Sequence, residues 1–152
     1  MSKEIYLISA CLLGINCRYN GTSSHIQELE SLIDSGRLIP ICPEVLGGLD
    51  TPREPCEIIT QTNGSLKVMS KYGLDCTSEF QNGAHKVLEM AKVCQVKKVI
   101  LKANSPSCGS DYIYDGTFSG KLIEGDGLTS KLLLENDIEV YNETNWESRE
   151  FM

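Results

Sequence analysis

Three cysteines, Cys11, Cys42 and Cys108, each stand just beyond a short apolar run. Their settings are Ser9-Ala10-Cys11, Cys42-Pro43-Glu44 and Ser105-Pro106-Ser107-Cys108-Gly109. Thiolate sulfur is a soft donor that suits zinc and iron–sulfur clusters, and either metal keeps it deprotonated. Three thiolates at one spot could hold a metal centre while leaving one coordination position open. Glu44 lies two residues past Cys42, so in an extended loop both side chains project to the same side. A carboxylate beside a thiolate-bound metal suits general acid or base work. In the third setting Pro106 fixes the backbone and Gly109 permits a tight approach. Each feature also has a plainer reading. Free cysteines are commonly small buried hydrophobes, glutamates are ordinarily solvated, and a Pro–Gly stretch is often just a turn. No Cys-x-x-Cys pair occurs, so the local signature of a structural zinc site or a thioredoxin-like redox pair is missing.

For these thiols to meet, the runs before them must be parallel strands of one sheet, whose carboxyl edge is where open α/β folds build sites. A first strand is expected over residues 4–9, followed by a polar loop with an Asn20-Gly21 turn. Ser23 or Ser24 is expected to cap a helix carrying Ile26, Leu29, Leu32 and Ile33 and ending at Gly36. A second strand over 38–41 completes the β-loop-α-β order that a parallel sheet needs. Gly47-Gly48, Pro52 and Pro55 break any long element over residues 42–75. There, residues 57–60 and 66–70 are expected to pair about Asn63-Gly64 as an inserted hairpin flap. The clearest helix opens at Thr77 or Ser78, with Phe80, Ala84, Val87, Leu88, Ala91 and Cys94 on one stripe. A strand over 98–101 follows it, then a Gly-, Ser- and Asp-rich loop over 102–127, a length that is usually functional or mobile. A helix over 128–135 and a strand over 138–141 close the pattern. The expected organisation is one α/β domain over 1–141, with a polar, fraying tail over 142–152.

A chain of 152 residues is long enough for one domain with a real core and short for two. The net charge of −7 gives no footprint for generic nucleic-acid binding, although Lys97, Lys98 and Lys102 leave room for a local basic rim. Seven cysteines cannot all enter a closed disulfide framework, and their scattered spacing fits reduced intracellular thiols. Ile8-Ser9-Ala10-Cys11 imitates the end of a lipoprotein signal, but residues 5–8 fall short of its roughly 7–15 apolar residues. No run approaches the roughly 20 apolar residues of a membrane span, so a cytosolic location is expected. Cys94 belongs to the helical stripe, and Cys56 and Cys76 have no chemical partner in the sequence. Cys17 stays open between a fourth ligand, a persulfide carrier and a spare thiol; the adjacent Arg18 would favour its thiolate. His25 and His85 fall in expected helices, away from the strand ends. No nucleophile elbow and no Walker or Rossmann glycine fingerprint is present.

Longer motifs surround these residues: Ser9-Ala10-Cys11-Leu12-Leu13-Gly14, Cys17-Arg18-Tyr19-Asn20-Gly21, Cys42-Pro43-Glu44 with Gly47-Gly48-Leu49, and Pro52-Arg53. Lys102 with Ser105-Pro106-Ser107-Cys108-Gly109, and Tyr114-Asp115-Gly116-Thr117-Phe118-Ser119-Gly120, complete the set. Together they resemble a bacterial family long catalogued as domain of unknown function 523, over about residues 5–140. That family includes 2-thiouracil desulfidases and relatives that remove sulfur from thiolated uridine in tRNA. The resemblance implies a 4Fe-4S cluster held by Cys11, Cys42 and Cys108 with one iron free of protein ligands. It also implies a catalytic glutamate at Glu44, an active-site serine at Ser105, and a Rossmann-like three-layer α/β sandwich. Two departures stand out. No second, helical domain of the kind the characterised desulfidases often carry is expected, and those enzymes commonly lack a cysteine at the position of Cys17.

The leading expectation is therefore a cytosolic iron–sulfur desulfidase that hydrolyses a thiocarbonyl, 2-thiouracil or a related thiolated pyrimidine, at the open iron. Glu44 would act as acid or base toward water, and Ser105 would position the substrate or relay a proton. One alternative keeps the thiols and drops the cluster, giving a zinc- or persulfide-using enzyme. Another is a non-catalytic carrier of a cluster or sulfide. The acidic charge leans toward a small-molecule substrate rather than tRNA, no membrane partner is expected, and nothing in the sequence specifies an oligomeric state.

Overall fold

The computed structural model describes residues 4–33 and 36–146. The chain runs through β1 (Tyr6–Ser9), a 3₁₀ turn (Ala10–Leu13), a second 3₁₀ turn (Gln27–Leu29), α1 (Glu30–Ile33), β2 (Leu38–Ile41) and α2 (Pro43–Leu46). The hairpin β3 (Cys56–Thr60) and β4 (Leu66–Ser70) precedes α3 (Thr77–Val93) and β5 (Lys98–Ile100). A second hairpin, β6 (Tyr112–Tyr114) and β7 (Leu122–Glu124), leads to α4 (Leu128–Glu135) and β8 (Glu139–Tyr141). Strands β2, β1, β5 and β8 form one parallel sheet in that order, with Ser9 opposite Ile41 and Ile8 opposite Ile100. The architecture is thus the expected mixed α/β fold with a parallel central sheet and the inserted β3–β4 flap.

Strand alternation sorts the core. Leu7, Val99 and Leu101 pack with Val87, Leu88 and Ala91 of α3 and Leu133 of α4 on one face. Tyr6, Ile8 and Ile100 pack with Leu12, Leu29 and Leu32 on the other. A sheet covered on both faces needs near-continuous apolar strands, and β1 is buried at all four positions. Each fully buried Leu, Ile or Val contributes about 1.5–3 kcal/mol of transfer free energy.

Three expectations need correction. The helix expected from Ser23 or Ser24 begins only at Gln27, because Ser24 N–H is already bonded to Cys11 O (2.9 Å) and Ile26 N–H to Leu12 O (2.9 Å). Those bonds hold residues 24–26 against the turn after β1, and the expected continuation through residues 34 and 35 lies outside the described residues. The loop over 102–127 is not structureless, since it contains the β6–β7 hairpin with Ile113 opposite Ile123. Finally, the chain does not fray from Asn142: that residue is buried, Glu143 pairs with Lys102 (2.9 Å), and Trp146 packs on the second core cluster. The rest of the expected tail, residues 147–152, lies outside the described residues. No helix among the described residues is long and apolar enough to cross a membrane.

One packing contact carries directly into the site. A Cβ added at Gly83 in α3 would lie 2.0 Å from Pro43 O, and one at Gly47 would lie 1.9 Å from Glu79 O. The two glycines let α2 and α3 touch backbone to backbone, which sets the position of Cys42 and Glu44. Alanine normally stabilises a helix interior over glycine by about 1 kcal/mol. Here the clash with rigid backbone reverses the sign, so Gly83→Ala is expected to destabilise by about 1–3 kcal/mol. Urea unfolding followed by circular dichroism measures it, and an unchanged or raised midpoint would contradict the close contact.

Candidate functional site

Each strand-end cysteine is delivered by a different local device. Cys11 follows β1 inside the 3₁₀ turn, which Ile15 N–H closes on Ala10 O at 3.2 Å. Cys42 is the last extended residue before α2, with φ −134° and ψ 105°, and Pro43 takes the first helical position where a missing N–H costs nothing. Cys108 ends a turn after β5 in which its N–H donates to Ser105 Oγ (2.6 Å) and Gly109 N–H to Ser105 O (2.9 Å). The amino end of α4 docks on that turn, as Leu128 and Thr129 N–H donate to Pro106 O (2.8 Å) and Ser107 O (3.0 Å). These carbonyls satisfy helix N–H groups that would otherwise be orphaned. Ser130 Oγ adds a bond to Cys108 O at 2.7 Å. Ser9 links two strand ends, because its hydroxyl donates to Cys108 Sγ (3.5 Å) and accepts Lys102 N–H (2.9 Å).

Cys11, Cys42, Cys108, Glu44 and Ser105 all line one cavity of about 330 Å³ at the carboxyl ends of β1, β2 and β5. Glu44 arrives there for a different reason from the one the sequence suggested. It sits in the first turn of α2, not in an extended loop, so the alternation argument fails and the Cys42–Pro43 entry into the helix sets its direction. Its carboxylate, 17% exposed, meets Arg53 Nη2 at 3.3 Å. Burial pushes the Glu44 carboxyl above the usual carboxylate range, and the Arg53 cation pulls it part of the way back. A carboxyl so placed is suited to proton transfer. Arg53 also donates to Cys17 O (3.0 Å) and Asp50 O (3.0 Å), which fixes the guanidinium under the cavity.

Cys17 is the fourth thiol in this cluster. It is buried, lines the cavity with Cys11 and Cys42, and its backbone carbonyl faces Cys42 Sγ at 3.8 Å. Its thiol is raised, chiefly by the neighbouring Cys11 thiol. Arg18 does not activate it as the sequence suggested, since that guanidinium lies over the Tyr19 ring, 5.9 Å from its centroid. Cys42 is raised too, first by its contact with Cys17 and then by burial, while burial lifts Cys108 to about 12. All seven cysteines are free. Such thiols bind a soft cation only by releasing protons, so loading is linked to pH.

Several lining residues had no role assigned from the sequence: Tyr19, Lys102, Tyr114 and Phe118 stand within the motifs, whereas Cys56, Glu57 and Lys71 do not. Cys56, at the start of β3, also lines the cavity; its Sγ faces Glu54 O at 3.7 Å, and burial with the neighbouring Cys76 raises its thiol. Glu57, Tyr19, Tyr114, Phe118, Lys71 and Lys102 complete much of the lining. The cations Arg18, Arg53, Lys71 and Lys102 outnumber the carboxylates Glu44 and Glu57 there, although the protein carries −7 overall. His25 and His85 are exposed and line no part of it, and Cys94 packs against the core.

Among the described residues, no three Cys, His, Asp or Glu side chains are grouped closely enough to hold a single metal ion. Zinc would need its sulfur ligands about 2.3 Å from one point. An iron–sulfur cluster distributes its thiolates over several metal atoms, so a wider trio of soft, buried donors around a cavity fits it.

Comparison with known proteins agrees with this chemistry. A family model described as 2-thiouracil desulfurase matches residues 6–145. The Bacillus subtilis (strain 168) protein named "Uncharacterized protein YbbK" is 47% identical over 142 residues, covering 90% of this chain and 94% of that protein. A solved structure described as the 4Fe-4S-dependent thiouracil desulfidase TudS is 41% identical, covers 98% of this chain and 95% of its own, and superposes with a TM-score of 0.88.

Proposed function

The chain belongs to the 2-thiouracil desulfurase family, and from that membership we propose a cytoplasmic, 4Fe-4S-dependent desulfidase that hydrolyses a small thiolated pyrimidine such as 2-thiouracil. The observation that carries this reading is the arrival of three thiols from three strand ends, with Glu44 and Ser105, on one cavity. In this reading the expected domain over residues 1–141 carries the whole site.

Cys11, Cys42 and Cys108 would hold the cluster. When bound, it would supply Lewis-acid polarisation of the thiocarbonyl C–S bond. The protein's own groups do the rest. Glu44 takes a proton from the attacking water as the new C–O bond forms, then returns it to the departing sulfur as the C–S bond breaks. The second proton, left on the new C–O oxygen, passes through Glu44 to sulfur in the same way as the C=O bond forms, so sulfur leaves as hydrogen sulfide and no electron is gained or lost. Arg53 holds the carboxyl in place through both transfers. Ser105 accepts Cys108 N–H on a lone pair, which leaves its hydroxyl proton to donate to the substrate ring. A cavity of about 330 Å³ lies at the small end of ligand pockets and favours a base or nucleoside-sized substrate over tRNA.

Anaerobic reconstitution with iron and sulfide tests the proposal. The expected product is a brown protein with about four irons per chain. It should convert 2-thiouracil to uracil and sulfide in equal amounts without a reductant, with the new oxygen derived from labelled water. A strict need for an electron donor would overturn hydrolysis. Full iron loading without turnover of any thiopyrimidine would favour the cluster or sulfide carrier instead.

A further inference from the structure

We propose that Glu57 is a positioning residue that latches the loop over residues 114–120 to the β3–β4 flap, and that Phe118 on this loop forms the wall on which the pyrimidine stacks. The second half rests on the substrate reading above; the first does not.

Glutamate is seldom buried without a partner, because desolvating a carboxylate is costly. Glu57 is only 8% exposed. Among the described residues its partners are two backbone amides, not a cation: Gly116 N–H and Phe118 N–H donate to Oε1 at 2.9 and 3.1 Å. Bonds from N–H groups to an ionised acceptor are stronger than neutral ones. These two span 59 and 61 residues of chain and join the two hairpins.

Among the described residues, the loop's remaining polar contacts are internal. Asp115 Oδ1 accepts Thr117 N–H (2.9 Å), the Thr117 and Ser119 hydroxyls are bonded, and Asp115 N–H closes on Lys121 O (3.0 Å). They brace the loop's shape but do not attach it to the fold. Glu57 does, helped by the close approach of Gly116, where an added Cβ would lie 2.9 Å from Ile58 O.

What the latch holds is informative. Phe118 has φ +57°, a left-handed conformation that bulky side chains rarely adopt and that persists where surrounding contacts over-determine it. Phe118 is partly buried and lines the same cavity as the thiols, together with Tyr19 and Tyr114. An aromatic face binds flat heterocycles by stacking, whatever polar groups the ring carries. Such a wall fixes affinity for the ring and takes no part in breaking the C–S bond.

The test combines amide hydrogen exchange of the full-length protein with binding of uracil, and with turnover of 2-thiouracil by the reconstituted enzyme. Glu57→Ala is expected to speed exchange over residues 114–120 by about tenfold or more. It should weaken uracil binding and raise KM about tenfold, with kcat within about threefold of wild type and iron content unchanged. Glu57→Gln keeps one acceptor oxygen and should restore most of the exchange protection. Phe118→Leu should weaken uracil binding to a similar degree with exchange unaltered, and Phe118→Tyr should bind normally. Unaltered exchange in Glu57→Ala overturns the latch. A fall in kcat at constant KM, or normal uracil binding by Phe118→Leu, overturns the stacking wall. Wild-type protein that neither binds uracil nor turns over 2-thiouracil removes the substrate reading and the stacking role with it, while the exchange comparison still decides the latch.

Discussion

Cys108→Ser is expected to lose iron and turnover together, while Cys94→Ser keeps both at the wild-type level. Serine fits the space, because it differs from cysteine by one atom in a turn held by Ser105, Ser130 and the amino end of α4. The fold should therefore survive. The chemistry should not, since a hydroxyl is a hard donor that stays protonated where a thiol can be ionised by a metal. Iron should fall from about four per chain to below about one. Turnover should fall at least about a thousandfold, the several kcal/mol that Lewis-acid polarisation supplies. Cys11→Ser and Cys42→Ser should behave as Cys108→Ser does. Cys17→Ser should retain its iron, because the smaller hydroxyl fits the buried site and leaves the three ligand thiols untouched. Metal analysis with visible absorption under anaerobic handling separates these outcomes. Full iron in Cys108→Ser would remove the ligand assignment and send the reading back to a thiol enzyme without a cluster.

The parallel strands and α3 were legible because burial on both faces writes continuous apolar runs, and because a 17-residue amphipathic helix repeats its stripe several times. The β3–β4 flap was legible from Asn63-Gly64 between two strand-like runs, although the loop is longer than a two-residue turn, with Gln61 N–H closing on Ser65 O. Three-residue strands such as β6 and β7 carry too few alternations to be told from loop. The helix expected over 23–36 failed on information from elsewhere in the fold, namely the carbonyls of Cys11 and Leu12 that claim the N–H groups of residues 24 and 26.

The site divides along the same line. Cysteines placed just after apolar runs advertise themselves, since strand ends in a parallel sheet converge by geometry. Cys56 and Glu57 come from the flap, whose place beside the cavity is a tertiary event with no local signal, while Arg53 stood in a motif that did not reveal its pairing with Glu44. Glu57 in particular reads as an ordinary polar strand residue until its two amide partners, some 60 positions away, are seen.

Glu44→Gln is expected to separate catalysis from construction. Glutamine keeps the volume and leaves an oxygen to accept from Arg53, so the cavity and the thiol trio should stay intact with full iron content. What is lost is the proton site. Positioned general acid–base groups contribute roughly 10²–10⁴-fold, so kcat should fall within that range while KM changes little. Removing the charge leaves the 6% exposed Arg53 side chain without its counter-ion, though still bonded to Cys17 O, Asp50 O and Thr51 Oγ1. A stability loss of about 1 kcal/mol follows from replacing an ionised acceptor by a neutral one, visible as a lower urea midpoint. Arg53→Met reports the converse: it strands the buried carboxyl and should cost more, about 3–5 kcal/mol. The two variants together decide whether Glu44 is there for chemistry or for structure. A structural carboxyl predicts that rate follows stability, with Arg53→Met the slower enzyme. A proton-transferring carboxyl predicts the opposite order, because Arg53→Met keeps an ionisable group beside the water and Glu44→Gln does not. Wild-type turnover by Glu44→Gln would exclude the proton role outright.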